Sequence, residues 1–202
     1  MIANSWPARC PKERNSLKIL RILSLETLNT LYLESEWLYV FTDDSKLTDN
    51  SNAGAGVCCD LFSFCSLIGI HRTAFNAEIA SIHIAVCQLF CHTDRVSKVV
   101  ILSDSRAVLQ AISSIKALMS VDILKCQQLI DDILQSHIDI ALQWIPSHCG
   151  IDGKENAECL AKKGTKIIQT SSNIVPFYDA KRITKKYYRE HFWGGVEIQP
   201  EE

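Results

Sequence analysis

The order in which apolar patterns change between residues 36 and 168 restricts the fold of this chain more than any other feature. Three short segments rich in aromatic, β-branched or small residues come first, at 37–43, 53–59 and 64–70. Each has the composition and length of a strand. After these, segments whose apolar residues recur at helical spacing alternate with short, continuous apolar runs that are typical of strands. Successive strands followed by alternating strands and helices predict a mixed sheet, in which an antiparallel meander continues into parallel strands.

The later elements of this region have clear periods and end signals. They are, in order, a helix at 74–91, a strand at 99–102, helices after Asp104 and at 121–135, a strand at 137–144 and a helix from Asp152 to about Lys166. Asp152 and Glu155 match a capping box at the start of the last helix. The sequence therefore predicts an α/β fold with a five-stranded mixed sheet flanked by helices.

The two ends of the chain differ from this region. Residues 1–35 show no clear period and contain several breakers, so we expect a partly ordered lead-in. Residues 36–168 form the predicted domain. Residues 169–202 are basic and aromatic, and we expect them to be a peripheral tail. At 202 residues and 47% hydrophobic composition, the chain can bury one full core.

Composition also bears on the compartment and partners of the chain. It contains no apolar run of about 18 residues, and its N-terminus lacks a continuous apolar core, so we expect neither a membrane span nor a secretory signal. The nine cysteines lie mostly among apolar residues and form no C-x₂-C pair, which favours an intracellular, reducing compartment over disulfides or zinc. We expect a monomer.

The net charge of −2 is unusual for a free-standing nucleic-acid binder. It fits a chain whose partner or parent protein supplies most of the affinity for the nucleic-acid backbone.

Four acidic residues lie at strand ends or helix starts: Asp43, Glu78, Asp104 and Glu158. In open α/β sheets, ligands gather where such ends meet. A cluster of carboxylates needs cations to neutralise it, and Mg²⁺ prefers oxygen ligands. Two such ions about 4 Å apart can support phosphodiester cleavage. His148, on the loop before the last helix, is placed to move protons near such a site.

Each of these residues also has an ordinary structural interpretation. An aspartate at a strand end is commonly a turn former or a helix cap. Glu78 and Glu158 could be partly exposed helix residues, and His148 could be an ordinary loop histidine. The spacing permits the four carboxylates to converge but does not require it.

The segments that hold these acids resemble the successive motifs of type 1 ribonucleases H. These are Thr42-Asp-Asp-Ser45, Gly54-Ala-Gly56, Asn76-Ala-Glu78, Ser103-Asp-Ser105 and the stretch from Leu142 to Gly164. The segment Trp144-Ile-Pro-Ser-His-Cys-Gly150 is the most specific, and it is similar to the ribonuclease H domain of animal non-LTR retrotransposon polyproteins. The resemblance covers about residues 36–168.

The resemblance implies a ribonuclease H-like fold and an endonuclease that hydrolyses the RNA strand of RNA–DNA hybrids. It implies two Mg²⁺ ions, which Mn²⁺ can replace, held by Asp43, Glu78, Asp104 and Glu158, with His148 as a mobile proton carrier. It places Ser45 and Asn76 near the nucleic-acid backbone. A reverse transcriptase domain of the same element is the partner that it suggests. Ribose 2′-hydroxyls allow such a site to select RNA over DNA.

The sequence departs from the family pattern at two acids. Asp44 stands where the family usually has glycine, which adds bulk and charge, and Glu158 stands where the family usually has aspartate. The basic, tryptophan-bearing insertion of cellular members is also missing, so we expect weak hybrid binding in isolation. These departures leave open a catalytically impaired module that only binds nucleic acid or is structural. DNA-cutting exonucleases and integrases of related fold are a third reading, which the Trp144–Gly150 segment disfavours.

Overall fold

The computed structural model of the chain describes residues 14–46, 52–70, 72–114, 120–168 and 177–192. Within these ranges it contains five strands and six helices. In chain order they are α1 (Arg14–Leu31), β1 (Leu38–Ser45), β2 (Ala53–Cys58), β3 (Ser63–Gly69), α2 (Ala74–Phe90), β4 (Lys98–Ser103), α3 (Arg106–Ile112), α4 (Val121–Gln135), β5 (Asp139–Trp144), α5 (Asp152–Gly164) and α6 (Phe177–Phe192). None of the helices in the described part of the chain is long and apolar enough to cross a membrane.

The five strands form one mixed sheet in the order β3-β2-β1-β4-β5. β1 pairs antiparallel with β2 and parallel with β4, while β4 pairs parallel with β5. The predicted sheet, an antiparallel meander continued by parallel strands, is therefore confirmed. Its central strand, β1, ends beside the end of β4, so two carboxyl ends meet at one edge of the sheet.

Helices cover both faces of the sheet because its central strands are apolar on both sides. On one face, Val40 of β1 and Ile101 of β4 pack in a core with Ile82 of α2, Leu109 of α3 and Ile133 of α4, all nearly inaccessible to solvent. The opposite face carries a second core built on Val100 and Leu102 of β4. The result is a three-layer α/β/α arrangement.

Helix α5 lies unusually close to the sheet because glycines remove the side chains between them. A Cβ atom on Gly56 would lie 2.0 Å from the backbone oxygen of Ala157, and one on Gly54 would lie 2.3 Å from that of Ala161. At the other end of the contact, a Cβ atom on Gly153 would meet the ring of Phe41 at 2.2 Å. These close approaches fix the first turn of α5 over β1, where the candidate site lies.

Helix α1 falls within the stretch for which no periodic element was predicted. Its buried residues Leu20, Ser24 and Leu28 recur every four positions, and Tyr32 continues the series just after the helix. They pack against β4 and β5 in the second core. Exposed apolar residues such as Ile19 and Ile22 lie between them and hide the period in the sequence. The predicted limits of 1–35, 36–168 and 169–202 stay predictions, although α1 shares the core of the central region.

One local prediction at a helix start was wrong. The capping box at Asp152 and Glu155 does not form, because Ile151 is the N-cap residue and no side chain caps the helix. Ile151, which is buried in the second core, takes the N-cap position that the capping box assigns to Asp152. Asp152 and Glu155 lie in the first turn of α5, where their negative charges face the positive end of the helix dipole. Ser105 is the N-cap of α3, but its side chain makes no capping hydrogen bond.

Candidate active site

Parallel pairing of β1 with β4 brings Asp43 and Asp104 to the same edge of the sheet. Phe41 lies opposite Leu102 in the register, and each aspartate follows two residues later along its chain. Asp43 is buried, with 8% of its surface exposed. Asp104 is half-buried at the end of β4, where its backbone oxygen accepts a hydrogen bond of 2.8 Å from Trp144 Nε1.

Glu78 reaches the same place from the second turn of α2. This helix starts at a fixed position because Thr73 Oγ1 accepts a hydrogen bond of 3.1 Å from the Asn76 amide. Glu78 is buried, and Ser103 Oγ lies 3.5 Å from its Oε2. A helix packed on the β1–β2 half of the sheet thus aims a carboxyl group at the ends of β1 and β4.

Asp44 joins this cluster, although in the sequence it stands out only as a departure from the family pattern. β1 continues to Ser45, two residues beyond its predicted end. Side chains alternate along a strand, so Asp43 and Asp44 leave β1 on opposite sides. Their carboxyl groups are nevertheless close at the end of the strand, where one carboxylate oxygen each from Asp43, Asp44 and Glu78 lies within 4.8 Å of the others. Neither Asp104 nor Glu158 belongs to this group of three.

The donor set of this cluster fits a hard divalent cation. All of its ligand atoms are carboxylate oxygens, the group that Mg²⁺ and Mn²⁺ prefer. Burial raises the pKa of Glu78 to about 10, and the negative charges of Asp104, Asp44 and Asp43 add to the shift. Burial likewise raises the pKa of Asp44 to about 6, against a hydrogen bond with Glu78 that lowers it. A divalent ion bound to these oxygens would favour the ionised carboxylates and so lower both pKa values.

Lys154, for which the sequence gives no signal, lies between the two strand ends. Only 3% of this residue is exposed. Its Nζ lies 2.7 Å from the Thr42 oxygen, 2.9 Å from Asp43 Oδ1 and 2.7 Å from Asp104 Oδ1. Burial lowers the pKa of Lys154, but the charges of Asp104, Asp43 and Glu78 together outweigh it and the net pKa is raised. Burial raises the pKa of Asp43, and its effect exceeds that of the charge and hydrogen bond of Lys154, which lower this pKa.

Glu158 and His148 lie together on another wall of the same cavity. Glu158 Oε1 lies 2.6 Å from Lys162 Nζ, and its Oε2 lies 3.3 Å from His148 Nδ1. The hydrogen bond from Lys162 lowers the pKa of Glu158, with the charge of His148 acting in the same direction. His148 has a left-handed backbone, with φ of 51°, and its side chain is 71% exposed. The fourth predicted ligand is thus engaged by two basic side chains.

The two residues predicted to lie near the nucleic-acid backbone have different surroundings. Ser45 lines the cavity, which has a volume of about 260 Å³ and is bordered by Asp43, Asp104, His148 and Glu158. Asn76 lies on the first turn of α2, where its backbone amide is part of the cap with Thr73.

Trp144 and Arg106 also support this edge of the sheet and were not predicted. The indole nitrogen of Trp144 bonds to Asp104, and the Arg106 guanidinium lies 3.9 Å above the centre of the Trp144 ring. A cation stacked on an aromatic ring restrains both groups. The pair therefore fixes the backbone that carries Asp104. An arginine two residues after a strand-end aspartate gives no sequence signal for this contact.

Comparisons with known proteins agree with this geometry. The family model for RNase H matches residues 35–166. No curated protein sequence matched the chain. Among solved structures, RNase H1 from the archaeon Halobacterium salinarum is 15% identical with a TM-score of 0.51, and the alignment covers 64% of this chain and 98% of that one.

Two further solved structures give the same result. The N-terminal RNase H domain of a Mycobacterium tuberculosis protein is 17% identical, with 73% of this chain and 99% of that one covered and a TM-score of 0.51. LC11-RNase H1, isolated from compost, is 17% identical, with 65% and 96% covered and a TM-score of 0.51. At such identities these likenesses show the fold, and the family match spans most of the chain. The resemblance to type 1 ribonucleases H is confirmed: the chain belongs to the RNase H family of ribonucleases.

Proposed function

We propose that this chain is an endonuclease that hydrolyses the RNA strand of RNA–DNA hybrids with divalent metal ions. The observation that carries the proposal is the convergence of three acids from separate elements at the carboxyl edge of the sheet. Asp43 and Asp104 line one cavity there, and a carboxylate oxygen of Glu78 lies within 4.8 Å of one from Asp43. Three acids brought together by folding form a site that no single one would indicate. Membership of the RNase H family supplies the reaction class.

Two Mg²⁺ ions are the proposed cofactor, and Mn²⁺ can substitute for them. The proposed ligands are Asp43, Glu78, Asp104 and Glu158, and Asp44 is an additional donor next to Asp43 and Glu78. Bound there, the ions would supply an activated water and stabilise the leaving oxygen of the phosphodiester. The role of the protein is to hold the carboxylates in a fixed, buried arrangement so that little reorganisation is needed during the reaction.

His148 is the proposed proton carrier at the rim of the cavity. Its exposed ring can reach solvent, and its Nδ1 is oriented by Glu158 at 3.3 Å. Histidine is the side chain that most often acts as a general acid or base in catalysis. We place Ser45, on the cavity wall, and Asn76, at the start of α2, near the backbone of the bound hybrid.

The biological setting that we propose is a retrotransposon-derived polyprotein. The support is the resemblance of the Trp144–Gly150 segment to the ribonuclease H domains of such elements, together with the net charge of −2. A chain without a basic excess binds a polyanion weakly by itself. A reverse transcriptase domain of the same element would supply that affinity. We propose an intracellular monomer.

A module that binds hybrids without cutting them is the alternative function. Its support is the state of two predicted ligands, since Asp104 is bonded to Lys154 and Glu158 is bonded to Lys162 and His148. A site locked in this state would bind metal weakly. It would hold a hybrid through its surface alone.

A panel of nucleic acids of one sequence tests the proposed function. The purified chain is incubated with Mg²⁺ or Mn²⁺ and a labelled RNA–DNA hybrid, RNA duplex, DNA duplex or single-stranded RNA, and the products are separated by length. We expect internal cuts in the RNA strand of the hybrid and none in the DNA duplex. Binding of the hybrid without cleavage in either metal would favour the alternative. Cleavage of the DNA duplex would contradict the proposed substrate class.

A further inference from the structure

The starting observation is that the ammonium of Lys154 uses all of its hydrogen-bonding capacity inside the site. An ammonium has three donors. Those of Lys154 face three acceptors at 2.7, 2.9 and 2.7 Å: the Thr42 oxygen, Asp43 Oδ1 and Asp104 Oδ1. With 3% of its surface exposed, this residue is among the few buried charged residues of the described chain. It bridges two of the carboxylates proposed as metal ligands.

A surface role does not explain this position. Lysines that bind nucleic-acid phosphates keep the ammonium in solvent and near the backbone of the ligand. Lys154 points inward from the first turn of α5, and its ammonium forms ion pairs with Asp43 and Asp104, which line the cavity. Lys162 on the same helix differs from Lys154, because its side chain is 55% exposed while it pairs with Glu158 at 2.6 Å.

The same carboxylate oxygens cannot accept hydrogen bonds from the ammonium and also coordinate a divalent ion without weakening one of the two interactions. Mg²⁺ binds oxygen ligands at about 2.0–2.1 Å. An ion at that distance from Asp43 Oδ1 or Asp104 Oδ1 would lie within a few ångströms of the Lys154 ammonium, and like charges that close in a buried place repel strongly. Either the ammonium withdraws or the metal binds with fewer ligands.

We propose that Lys154 is a tethered internal cation that neutralises Asp43 and Asp104 in the metal-free protein and competes with the divalent ion for them. The proposal rests on the proposed function only for the identity of that ion. Lys154 keeps the strand ends together when no metal is present. It also raises the metal concentration that the site needs, because metal binding must first release two charge-assisted hydrogen bonds. Lys154 is therefore a positioning residue that sets the metal requirement.

Metal binding without nucleic acid tests the proposal. Lys154→Met removes the charge and keeps the length of the side chain, and Lys154→Gln keeps a hydrogen-bond donor. Lys163→Met, on an exposed position of the same helix, is the matched control. Calorimetric titration with Mn²⁺ and Mg²⁺ should show affinity at least about tenfold higher in both Lys154 variants than in the wild type, since a charged hydrogen bond is lost from the competing state. The Lys163 variant should match the wild type.

Thermal unfolding provides a second expected signature. Without metal, both Lys154 variants should unfold at lower temperature than the wild type, because their buried carboxylates lack a counterion. Added Mg²⁺ should raise their Tm more than that of the wild type. Unchanged or weaker metal affinity in both variants would overturn the proposal, since it would make Lys154 a structural support and not a competitor.

A measurement on the wild-type chain covers the case in which the variants do not fold. In protein labelled with ¹⁵N at the lysine side chains, the buried Lys154 ammonium should give a slowly exchanging signal in chelator. That signal should shift or broaden on addition of Mg²⁺, while the Lys163 signal stays constant. A Lys154 signal unaffected by saturating metal would overturn the proposal. Because no nucleic acid is present, failure to cleave hybrids would leave these results intact and would count only against the proposed function.

Discussion

A single buried ammonium faces four carboxyl groups at the ends of β1 and β4. These groups belong to Asp43, Asp44, Glu78 and Asp104, and Lys154 contacts two of them directly. One positive charge cannot balance four negative charges in a buried place. Burial raises the pKa values of Glu78 and Asp44, and the charges of the neighbouring aspartates add to both shifts. At the residue scale, Lys154 and the raised carboxyl pKa values both reduce the negative charge of the site.

This balance predicts that stability in chelator falls as pH rises. Burial, followed by the neighbouring acids, raises the pKa of Glu78 from 4.5 to about 10. Between those values the folded state keeps a proton that the unfolded state has lost, so the free energy of unfolding decreases with pH. Asp44, with its pKa raised to about 6, adds to the decrease between pH 4 and 6.

Glu78→Gln should remove most of this dependence, because the amide stays neutral at every pH. Urea unfolding in EDTA, measured at several pH values from about 4.5 to 8, should show the wild type losing at least about 1 kcal/mol between pH 5.5 and 8 and the Glu78 variant losing clearly less. Asp44→Asn is the control, and it should alter the slope below pH 6 while leaving the loss above it. Equal pH slopes for the wild type and Glu78→Gln would show that Glu78 ionises normally in the folded protein.

At the scale of elements, the site depends on how closely α5 approaches β1 and β2. Gly54 and Gly56 allow helix backbone to touch strand backbone, and Gly153 allows the first turn of α5 to lie against Phe41. The glycine motif that resembles the family pattern therefore has a packing role here. It places Lys154 under the strand ends and Glu158 on the cavity wall.

Gly56→Ala should damage both stability and the site. The added Cβ would lie 2.0 Å from the Ala157 oxygen and 2.4 Å from the Ala161 nitrogen. Both are backbone atoms, so α5 must move away as a unit. We expect a loss of about 3 kcal/mol in unfolding free energy, which corresponds to a fall in Tm of roughly 6 °C or more. Cleavage of hybrids should fall as well, because α5 carries two site residues.

Ser63→Thr is the matched control for this change. It adds one methyl group at an exposed position of the adjacent strand β3. Differential scanning calorimetry should show little change in its Tm. If Gly56→Ala were as stable as this control, α5 would not be seated against β2 as described.

At the scale of the whole molecule, the sequence predicts the order of elements well because periodicity is a local property. The five strands, the helices between residues 74 and 164 and the mixed sheet could all be read from it. Helix α1 could not, since exposed apolar residues such as Ile22 obscure the four-residue spacing of Leu20 and Leu28. The packing of α1 on β4 and β5 is a tertiary effect with no local signal.

The site was predictable in part for the same reason. Asp43 and Asp104 follow from strand ends and parallel topology. Lys154 does not, because a lysine in the first turn of a polar helix is ordinarily solvent-exposed. Its burial depends on the close seating of α5. Asp44 enters the cluster because β1 continues two residues beyond the end that its apolar pattern indicates.

The most direct test of the account is RNA-strand cleavage of an end-labelled RNA–DNA hybrid by the wild type and by Asp104→Asn. Asp104→Asn keeps the shape of the side chain and removes the charge that Lys154 and the metal share. We predict Mg²⁺-dependent cleavage by the wild type, abolished by EDTA and reduced at least about a hundredfold in the variant. A folded Asp104 variant that cuts as fast as the wild type would contradict the assigned site. No cutting by folded wild type in Mg²⁺ or Mn²⁺ would contradict the proposed function.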